Sequence, residues 1–430
     1  MAIIKAVRGT RDLLPPDTEL WNRVEATARS VFARYGFGEI RTPIFEPTEL
    51  FARGVGEETD IVSKEMYTWE DRGRAESDKG QSLTLRPENT AGVVRSYIEH
   101  HMGESGMLQK LFYIGPQFRR ERPQRGRYRQ FWQIGAEVLG PQFSGSDSAL
   151  RDAEVLEMLA TLLDEIGISG WRLALNSVGS ADDRKRYSEA LRTALAPVKN
   201  QLCEDNQRRA ETNPLRVLDS KDPGDQEIIE GLPKISEFWS EESRTHFDQV
   251  KAALDACGVP YVLEPRLVRG LDYYTRTTFE FTVPDGSGLG TQNALLGGGR
   301  YDGLSEMLGG PKAPGIGFAI GEDRLILTLQ AQAESKEPAK LDAFVAPMGV
   351  PQNPAALKLA RELRAAGLRI EIGDGAFRLK KSFETADKLA DKMIIVGEDE
   401  VNSDIFTVKT FSRGEQEKIP RAELAAALKS

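Results

Sequence analysis

The chain has 430 residues, more than one hydrophobic core usually serves, so a large domain and at least one smaller domain are expected. Its 40% hydrophobic and 29% charged residues are typical of a soluble globular protein, and no apolar run approaches the ~20 residues that a bilayer needs, which excludes a membrane-spanning protein. A formal net charge of −9 disfavours a diffuse, sequence-blind nucleic-acid binder, although local basic patches can still hold phosphates.

The first 50 residues predict a helix and then a short strand. Apolar residues recur at helical spacing from about residue 18 to residue 35, and Asp17 is placed as the N-cap. Residues 39–43 follow as a strand that ends in proline, which is tolerated at a sheet edge, where a partner subunit could sit. The first nine residues lack a sustained apolar region and a small-residue cleavage site, so we expect a cytoplasmic protein.

The next part of the chain predicts strands with few helices, and then a helical segment. We expect strands near residues 63–69 and 83–86, an exposed turn at 70–79, and a helix at 91–101 that Asn89 or Thr90 would cap. Residues 110–140 predict two strands around a basic loop, followed by a helix at 148–166 and a strand at 171–176. From residue 181 to about 259 the segments are charge-rich and helical, which indicates an inserted module.

Strand patterns return after the insertion and lead into a second domain. Residues 261–265 and 277–283 predict strands, 322–332 a helix, and 333–340 a polar linker. Beyond residue 341 strands and helices alternate, as in a small α/β unit with parallel crossovers. The predicted fold class is α/β with an α+β core: an antiparallel sheet flanked by helices with an insertion at 181–259, all within residues 1–332, and a smaller α/β domain at 341–430.

The predicted hairpin at residues 110–140 carries the most informative chemistry. The period of two places Phe131, Gln133, Gly135 and Glu137 on one face of its second strand, which offers an aromatic plate, an amide and a carboxylate to one ligand. The preceding strand ends in arginines, and the loop at 122–129 is too basic to be core. Such a hairpin suits a phosphorylated planar ligand together with a polyanion.

Other common reaction chemistries are disfavoured by the residues available. The two cysteines lie far apart and the three histidines form no cluster, which disfavours a disulfide framework, a thiolate metal site and histidine-based catalysis. Neither a P-loop nor a dinucleotide-binding fingerprint is present, and no metal-ligand set is legible.

Several peptides resemble those of one enzyme family. The sequence FRRERPQRGRYRQF at residues 118–131 resembles motif 2 of class II aminoacyl-tRNA synthetases, in the form found in histidyl-tRNA synthetases. The helix and strand before Pro43 resemble motif 1, the dimer element, and residues 317–325 resemble motif 3. Residues 267–275 and 297–304 resemble the two signature peptides of histidyl-tRNA synthetases. The likeness covers nearly the whole chain and implies a homodimer that uses ATP, with Mg²⁺ carried by the nucleotide, to join histidine to its tRNA through an adenylate.

The resemblance also implies roles for individual residues. At the nucleotide, Arg119 and Arg269 would contact the α-phosphate beside the reacting carboxylate, Arg324 the γ-phosphate, Glu121 the adenine amino group and Phe131 the adenine face. At the amino acid, Glu137 and Tyr274 would bind the imidazole, Glu88, Thr90 and Gln133 the α-ammonium group, and Asn89 and Tyr273 would line the pocket. At the tRNA, Arg122, Gln124, Arg127 and Arg129 are candidates for the acceptor end, and the C-terminal unit resembles an anticodon-binding domain, in which Arg378, Lys380, Lys381, Lys388 and Lys392 would receive phosphates.

Each role has a structural alternative when its residue is taken singly. Arg324 alone would suggest a salt bridge to an acid, and Arg269 a structural cation beside Asp272. Glu88 and Thr90 could simply cap the helix that follows Pro87. The lysines of the C-terminal unit suit a solvated helix face nearly as well as an RNA contact.

The chain departs from the family pattern at three positions, and two rival functions remain open. Asn89 stands where glycine is common, Asp323 where glutamate is usual, and Trp132 where histidine or tyrosine is frequent, although strand alternation points Trp132 away from Phe131. One rival is the non-catalytic paralogue that senses histidine, which should lack the catalytic arginines and the C-terminal domain. The other is a class II synthetase for another amino acid, which should lack the two signature peptides.

Overall fold

The computed structural model describes residues 3–56, 59–71, 80–220, 222–268, 270–284, 289, 293–332 and 340–429. The chain divides into two compact units, Met1–Glu334 (unit 1) and Ser335–Ser430 (unit 2). The division falls within residues 333–340, the predicted linker, of which only residue 340 is among those described. Among the described residues, no helix combines the length and the hydropathy that a membrane span requires.

Unit 1 alternates strands and helices on both sides of a helical segment. Before that segment lie α1 (Asp17–Arg34), β1 (Gly38–Glu39), β2 (Phe45–Pro47), α2 (Thr48–Val55), β3 (Tyr67–Asp71), β4 (Gln81–Leu85), α3 (Thr90–Glu99), β5 (Gln109–Phe118), β6 (Gln130–Leu139), α4 (Ala149–Ile166) and β7 (Arg172–Ser177). The segment contains α5 (Ala181–Leu195), α6 (Glu204–Thr212), α7 (Gln226–Glu230) and α8 (Glu241–Cys257), and we call it the insertion. After it come β8 (Tyr261–Leu263), β9 (Thr275–Thr282), β10 (Ala294–Arg300), α9 (Leu304–Met307), β11 (Gly315–Gly321) and α10 (Glu322–Gln332).

Eight of the described strands form the central sheet, in the order β1-β5-β6-β11-β10-β9-β7-β8. All neighbours run antiparallel except the parallel pairs at the two edges, β1 with β5 and β7 with β8. This mainly antiparallel sheet flanked by helices confirms the predicted fold class. The insertion leaves the sheet after β7 and returns at β8, which pairs with β7, so both of its ends are fixed at one edge.

Helix α1 packs on the sheet as its periodicity predicts. Trp21, Val24 and Phe32 are buried in the main core together with side chains of α4, β9 and β11. The helix begins at Asp17, directly after Pro16, and has no side-chain cap, so the prediction that Asp17 is the N-cap was wrong. Pro16, which precedes the helix, has no backbone N–H group that requires a hydrogen-bond acceptor.

Two predicted strands of unit 1 differ from the structure. The strand predicted at residues 63–69 begins only at Tyr67, because Ile61–Glu65 forms a π-helical turn, and the strand predicted at 39–43 covers only Gly38–Glu39. Strands β2, β4 and β3 form a separate small antiparallel sheet. Residues 72–79, most of the predicted exposed turn, lie outside the described residues.

Unit 2 is a five-stranded sheet with helices. It contains β12 (Ala343–Pro347), α11 (Asn353–Ala365), β13 (Ile370–Ile372), α12 (Leu379–Leu389), β14 (Lys392–Val396), α13 (Glu398–Ser403), β15 (Ile405–Thr410), β16 (Glu415–Pro420) and α14 (Arg421–Lys429). Strands β13, β12 and β14 run parallel, with helical crossovers, which confirms the predicted α/β pattern. Strands β15 and β16 add an antiparallel edge, and the sequence did not predict β16 because this edge strand is exposed and has no buried face.

Candidate active site

A cavity of about 240 Å³ opens in unit 1 against one face of the central sheet. Side chains from the hairpin β5–β6, the turn before α3, the peptide before β9, and the start of α10 line it. The predicted site residues among them are Glu88, Thr90, Arg119, Glu121, Arg127, Phe131, Gln133, Tyr273, Tyr274 and Arg324. The structure therefore brings together residues that are up to 236 positions apart, from Glu88 to Arg324, around one space.

Strand pairing explains why these groups meet. The register of β5 with β6 pairs Phe131 with Gln117 and Gln133 with Gly115, so alternate side chains of β6 face the cavity. Glu137 lies on the same strand and pairs with Gly317 of β11. A Cβ atom at residue 317 would lie 1.7 Å from Glu137 Oε2, so only glycine leaves room for this carboxyl group.

Glu137 is fully buried one layer behind the cavity wall, in contact with hydroxyl groups. Thr90 Oγ1 donates a hydrogen bond to Oε1 at 2.7 Å, and Tyr301 OH donates to Oε2 at 2.7 Å. Burial raises the pKa of Glu137 to about 8, while the hydroxyl donors oppose that shift. The group is thus poised to change charge near neutral pH, close to a tyrosine-rich wall.

The turn before α3 is held by the side chain of Glu88, which caps the helix as the structural alternative for this residue predicted. Glu88 Oε2 accepts from the backbone N–H of Thr90 at 2.7 Å, and Oε1 accepts from that of Ala91 at 3.0 Å. Asn89 occupies the N-cap position, as predicted, but its side chain makes no capping hydrogen bond, and Thr90 is the first residue of the helix. Burial raises the pKa of Glu88, and the two backbone donors oppose this shift.

Asn89 faces away from the cavity. Its Oδ1 accepts from Thr42 Oγ1 at 2.6 Å and from Arg86 Nη1 at 3.3 Å, and the residue is absent from the cavity wall. Gln133, in contrast, is on the wall, and its buried Oε1 has no hydrogen-bond partner among the described residues. A buried acceptor of this kind suits a ligand that brings its own donor, such as an ammonium group.

Two tyrosines close the cavity on the side of the insertion. Tyr273 and Tyr274 are buried, and their ring centroids lie 4.7 Å apart. Tyr274 packs so closely on β10 that a Cβ at residue 299 would lie 2.9 Å from its ring, which requires Gly299. Arg269, the third predicted catalytic arginine, lies outside the described residues.

The opposite end of the cavity is rich in arginine. Arg119 Nε donates to Pro87 O at 2.9 Å, and its guanidinium carbon lies 5.2 Å from the Phe131 ring centroid. Glu121 lies between two cations, with Oε1 3.9 Å from Arg119 Nη1 and Oε2 3.3 Å from Arg127 Nη1. The acid therefore screens two of the arginines from each other.

Arg324 joins this end from the start of α10. Its Nη1 donates to Ala294 O at 3.0 Å, and its Nε donates to Gly126 O at 3.4 Å. Burial lowers the pKa of Arg324, and the nearby positive charge of Arg127 lowers it further. A ligand with several negative charges would relieve both effects, so this end of the cavity favours a polyphosphate.

The sequence did not predict the roles of Arg11 and Tyr301, two side chains that contact residues of the cavity wall. Arg11 links the N-terminal segment to α10 and to the hairpin loop. Its Nη2 lies 2.7 Å from Asp323 Oδ1 on α10. Its Nη1 donates to Tyr128 OH in the loop at 3.1 Å, and its guanidinium carbon lies 4.3 Å from the centroid of the Tyr128 ring. Asp323 Oδ2 also accepts from the backbone N–H of Trp132 at 2.9 Å. No periodic pattern marks Arg11, because its partners come from distant parts of the chain. Tyr301 belongs to the peptide 297–304 that resembles a family signature, but no pattern predicted the direction of its side chain.

The four candidates for the tRNA acceptor end separate into two pairs. Arg122 and Gln124 are exposed. Arg127 pairs with Glu121, while Arg129 donates from its backbone N–H to Gly9 O at 2.7 Å and from Nη1 to Arg8 O at 3.3 Å. Trp132 lies on the opposite face and packs edge-on against Trp21 with ring centroids 6.5 Å apart, which confirms its predicted direction.

In unit 2, the predicted phosphate-binding residues lie on or beside α12. Arg378, Lys380, Lys381 and Lys388 are exposed, whereas Lys392 Nζ donates to Ala427 O at 2.7 Å. Lys380 lies 3.9 Å from Glu384, and Lys381 lies 4.3 Å from the centroid of the Phe377 ring. Four of the five cations thus remain accessible on one short segment.

One group of possible metal ligands occurs among the described residues, in the insertion: Cys203, Asp222 and Asp225. Asp225 already accepts hydrogen bonds from the backbone N–H of Cys203, from Asn206 and from Ser220. These bonds give the acid a structural role without a cation.

Comparisons with known proteins show the family to which the chain belongs. A family model described as Histidyl-tRNA synthetase matches residues 9–325, and one described as Anticodon binding domain matches residues 342–430. A histidine--tRNA ligase of Koribacter versatilis is 68% identical over 98% of this chain and 95% of its own length, and that of Solibacter usitatus is 52% identical over 99% of both chains. The crystal structure of apo S. aureus histidyl-tRNA synthetase is 39% identical and superimposes with a TM-score of 0.80, covering 100% of both chains.

Proposed function

The chain belongs to the histidyl-tRNA synthetase family and joins histidine to tRNA through a histidyl-adenylate, and on this premise we propose that histidine and ATP react in the cavity of unit 1. The observation that carries the proposal is the contrast within one cavity. Buried tyrosines and Thr90 line one end, where Thr90 contacts the carboxyl group of Glu137 behind the wall, and Arg119, Arg127 and Arg324 line the other. An imidazole needs the first environment, and a triphosphate needs the second.

Histidine binds at the tyrosine end. The imidazole donates one ring N–H to Glu137, whose carboxylate oxygens each have two lone pairs and can accept another donor besides Thr90 and Tyr301. Tyr274 serves the second ring nitrogen. Glu88, Thr90 and the unpartnered Oε1 of Gln133 receive the α-ammonium group, Tyr273 lines the pocket, and Asn89 acts only through its contacts with Thr42 and Arg86.

ATP binds at the arginine end. A carboxylate oxygen of histidine attacks the α-phosphorus, the bond between that phosphorus and the bridging oxygen breaks, and pyrophosphate leaves with the electron pair. Arg119 and Arg269 stabilise charge at the α-phosphate, and Arg324 holds the γ-phosphate. Phe131 stacks on the adenine ring, and Glu121 accepts a hydrogen bond from its amino group. Magnesium arrives with the nucleotide, because clustered phosphates require countercharge.

The tRNA meets both domains in this proposal. A hydroxyl of its terminal ribose attacks the histidyl carbonyl and releases AMP, with Arg122, Gln124, Arg127 and Arg129 near the acceptor end. Residues 1–332 form the catalytic domain with its insertion at 181–259, and residues 341–430 bind the anticodon, where Arg378, Lys380, Lys381 and Lys388 receive phosphates. Because Lys392 is bound to Ala427 O, we give it a structural role.

We further propose a homodimer that works in the cytoplasm. The support for a dimer is an exposed aromatic pair beyond Pro43: Phe45 and Trp69, whose ring centroids lie 6.1 Å apart, are 54% and 40% exposed. Exposed aromatic groups of this kind favour burial by a second subunit. Sedimentation equilibrium tests the dimer, since a monomer at micromolar concentration would refute it.

The rival functions fit the chain less well. The histidine-sensing paralogue should lack the catalytic arginines and the C-terminal domain, yet Arg119, Arg324 and unit 2 are all present. A synthetase for another amino acid has no use for the Glu137 network.

Pyrophosphate exchange into ATP, measured with each proteinogenic amino acid in turn, tests the proposal. We expect exchange with histidine alone. Exchange that depends on another amino acid, or no exchange with any, would refute it.

A further inference from the structure

Three side chains of the insertion hold the peptide that carries the two cavity tyrosines. We call residues 270–274 the tyrosine peptide. From the contacts described below, we propose that the insertion positions this peptide, with Arg184, Asn213 and Arg216 as positioning residues for histidine binding. The inference rests on the proposed histidine subsite at Tyr273 and Tyr274.

Every second carbonyl group of the tyrosine peptide accepts a hydrogen bond from an arginine of the insertion. Arg216 Nη2 donates to Gly270 O at 2.7 Å. Arg184 Nη1, on α5, donates to Asp272 O at 3.0 Å and also to Tyr274 O. Arg216 lies in the short 3-10 helix Pro214–Asp219, so two separate elements of the insertion donate hydrogen bonds to the tyrosine peptide.

A side-chain contact adds to these backbone bonds. Asn213 Nδ2 donates to Asp272 Oδ1 at 3.0 Å, from the residue that precedes the 3-10 helix. The two arginines supply three of these four hydrogen bonds, and therefore most of the interaction. The insertion thus contacts the peptide at residues 270, 272 and 274.

The tyrosine peptide has no regular structure that would fix it otherwise. It lies between β8 and β9, outside any helix or strand, and Asp272 N donates to Val55 O at a long 3.3 Å. Its other side faces the cavity, where the Tyr273 ring lies 6.0 Å from that of Tyr301. Both rings also pack in a buried cluster with Tyr113 and Tyr301, so the core holds the rings while the insertion holds the backbone that carries them.

The contacts between the insertion and this backbone have a kinetic consequence. If the insertion loses its hold, Tyr273 and Tyr274 sample positions that do not match histidine, and binding is weakened because only part of the population is competent. Apart from Arg269, which directly precedes Gly270 in the sequence, the proposed ATP contacts lie on β6, the hairpin loop and α10, outside the tyrosine peptide. The Michaelis constant for histidine should therefore rise more than that for ATP.

The test compares Arg216→Ala and Asn213→Ala with Arg209→Ala in tRNA-free pyrophosphate exchange, with rates normalised to the concentration of titrated active sites. Arg209 is a matched control because it belongs to the same insertion and lies 3.7 Å from Asp60, whereas its described contacts do not include the tyrosine peptide. We expect the KM for histidine to rise about tenfold in Arg216→Ala, the size of one lost charge-assisted bond, and less in Asn213→Ala. Arg216→Lys should recover part of the loss, since an ammonium group can still donate to Gly270 O.

An unchanged KM for histidine in both variants would overturn the inference, as would an equal rise in Arg209→Ala. A smaller active fraction with an unchanged KM would also overturn it, because that pattern indicates a structural role alone. Wild-type protein without histidine-dependent exchange would instead refute the proposed function.

Discussion

The two ends of the cavity are built in opposite ways. At the tyrosine end, the side chain of Glu137 is completely buried, and both of its oxygens already accept hydrogen bonds from hydroxyl groups. At the arginine end, the side chains of Arg119 and Arg127 are 21% and 41% exposed and contact carbonyl groups or a shared acid.

The difference indicates that the tyrosine end selects the amino acid and that the arginine end binds and releases the nucleotide. A buried group in a fixed network can hold only a ligand that fits its donors and acceptors, which suits selection of one amino acid. Partly solvated arginines can exchange a carbonyl or a shared acid for a phosphate at low cost, which suits a nucleotide that must enter and leave. The following changes would break or sharpen this contrast, in order of decreasing expected effect.

Replacing the guanidinium group of Arg119 should have the largest effect on the rate of pyrophosphate exchange. In Arg119→Lys the charge remains, but the ammonium group cannot serve the α-phosphate and the reacting carboxylate together, so we expect exchange to fall about 100-fold. Single-turnover adenylate formation measures this. Arg34→Lys, on the surface beside Glu165, is the control and should retain wild-type rates. A loss of less than about threefold in Arg119→Lys would contradict the role.

The tyrosine end should respond through histidine and through pH. A ring N–H favours the ionised form of Glu137, whose pKa burial raises to about 8, so the KM for histidine should fall as pH rises from 7 and level off above pH 8. Glu137→Gln should raise the KM for histidine about tenfold at pH 8 and remove the pH dependence that Glu137 gives to this KM. Comparing the two pH profiles corrects for the titration of free histidine. Parallel profiles would disprove the assignment.

Arg11 should affect only the nucleotide. It links Asp323, next to Arg324, with Tyr128 of the hairpin loop, so it fixes two parts of the arginine end relative to each other. We expect Arg11→Gln to raise the KM for ATP about threefold to fivefold, as a partly exposed ion pair allows, with little change for histidine. Arg11→Lys should be milder. If the KM for histidine rises instead, the two ends are not independent.

Glu322 offers the smallest effect, on stability. It is a buried acid beside the arginine end, and unlike Glu137 its oxygens have no hydrogen-bond partner among the described residues. Burial, followed by the charge of Glu25, raises its pKa to about 9. Its folded-state pKa is above the unfolded value near 4.5, so its stabilising contribution is complete below about pH 4.5 and is lost as pH rises through 9.

Glu322→Gln removes this titration. The decrease in melting temperature between pH 6 and pH 9 should be a few degrees smaller in the variant than in wild type. Differential scanning calorimetry at both pH values measures the difference. Equal decreases would show that Glu322 does not titrate in this range.

Regular patterns were predictable from the sequence, and long-range contacts were not. The period of two on β6 correctly predicted opposite directions for Phe131 and Trp132, and the helical period predicted α1. The capping role of Glu88 was among the alternatives that the sequence left open, because its backbone partners are two and three residues away. The contacts of Arg11, in contrast, join atoms that only the folded chain brings together. The Asn89 side chain likewise points toward Thr42, a residue 47 positions away in the sequence.

A crystal structure with a non-hydrolysable histidyl-adenylate analogue tests the central claim most directly. We predict that one imidazole nitrogen lies about 3 Å from the Glu137 carboxyl group, the other near the Tyr274 hydroxyl, and the group that replaces the phosphate beside Arg119. An imidazole bound at the Arg324 end, or an analogue outside this cavity, would contradict the account.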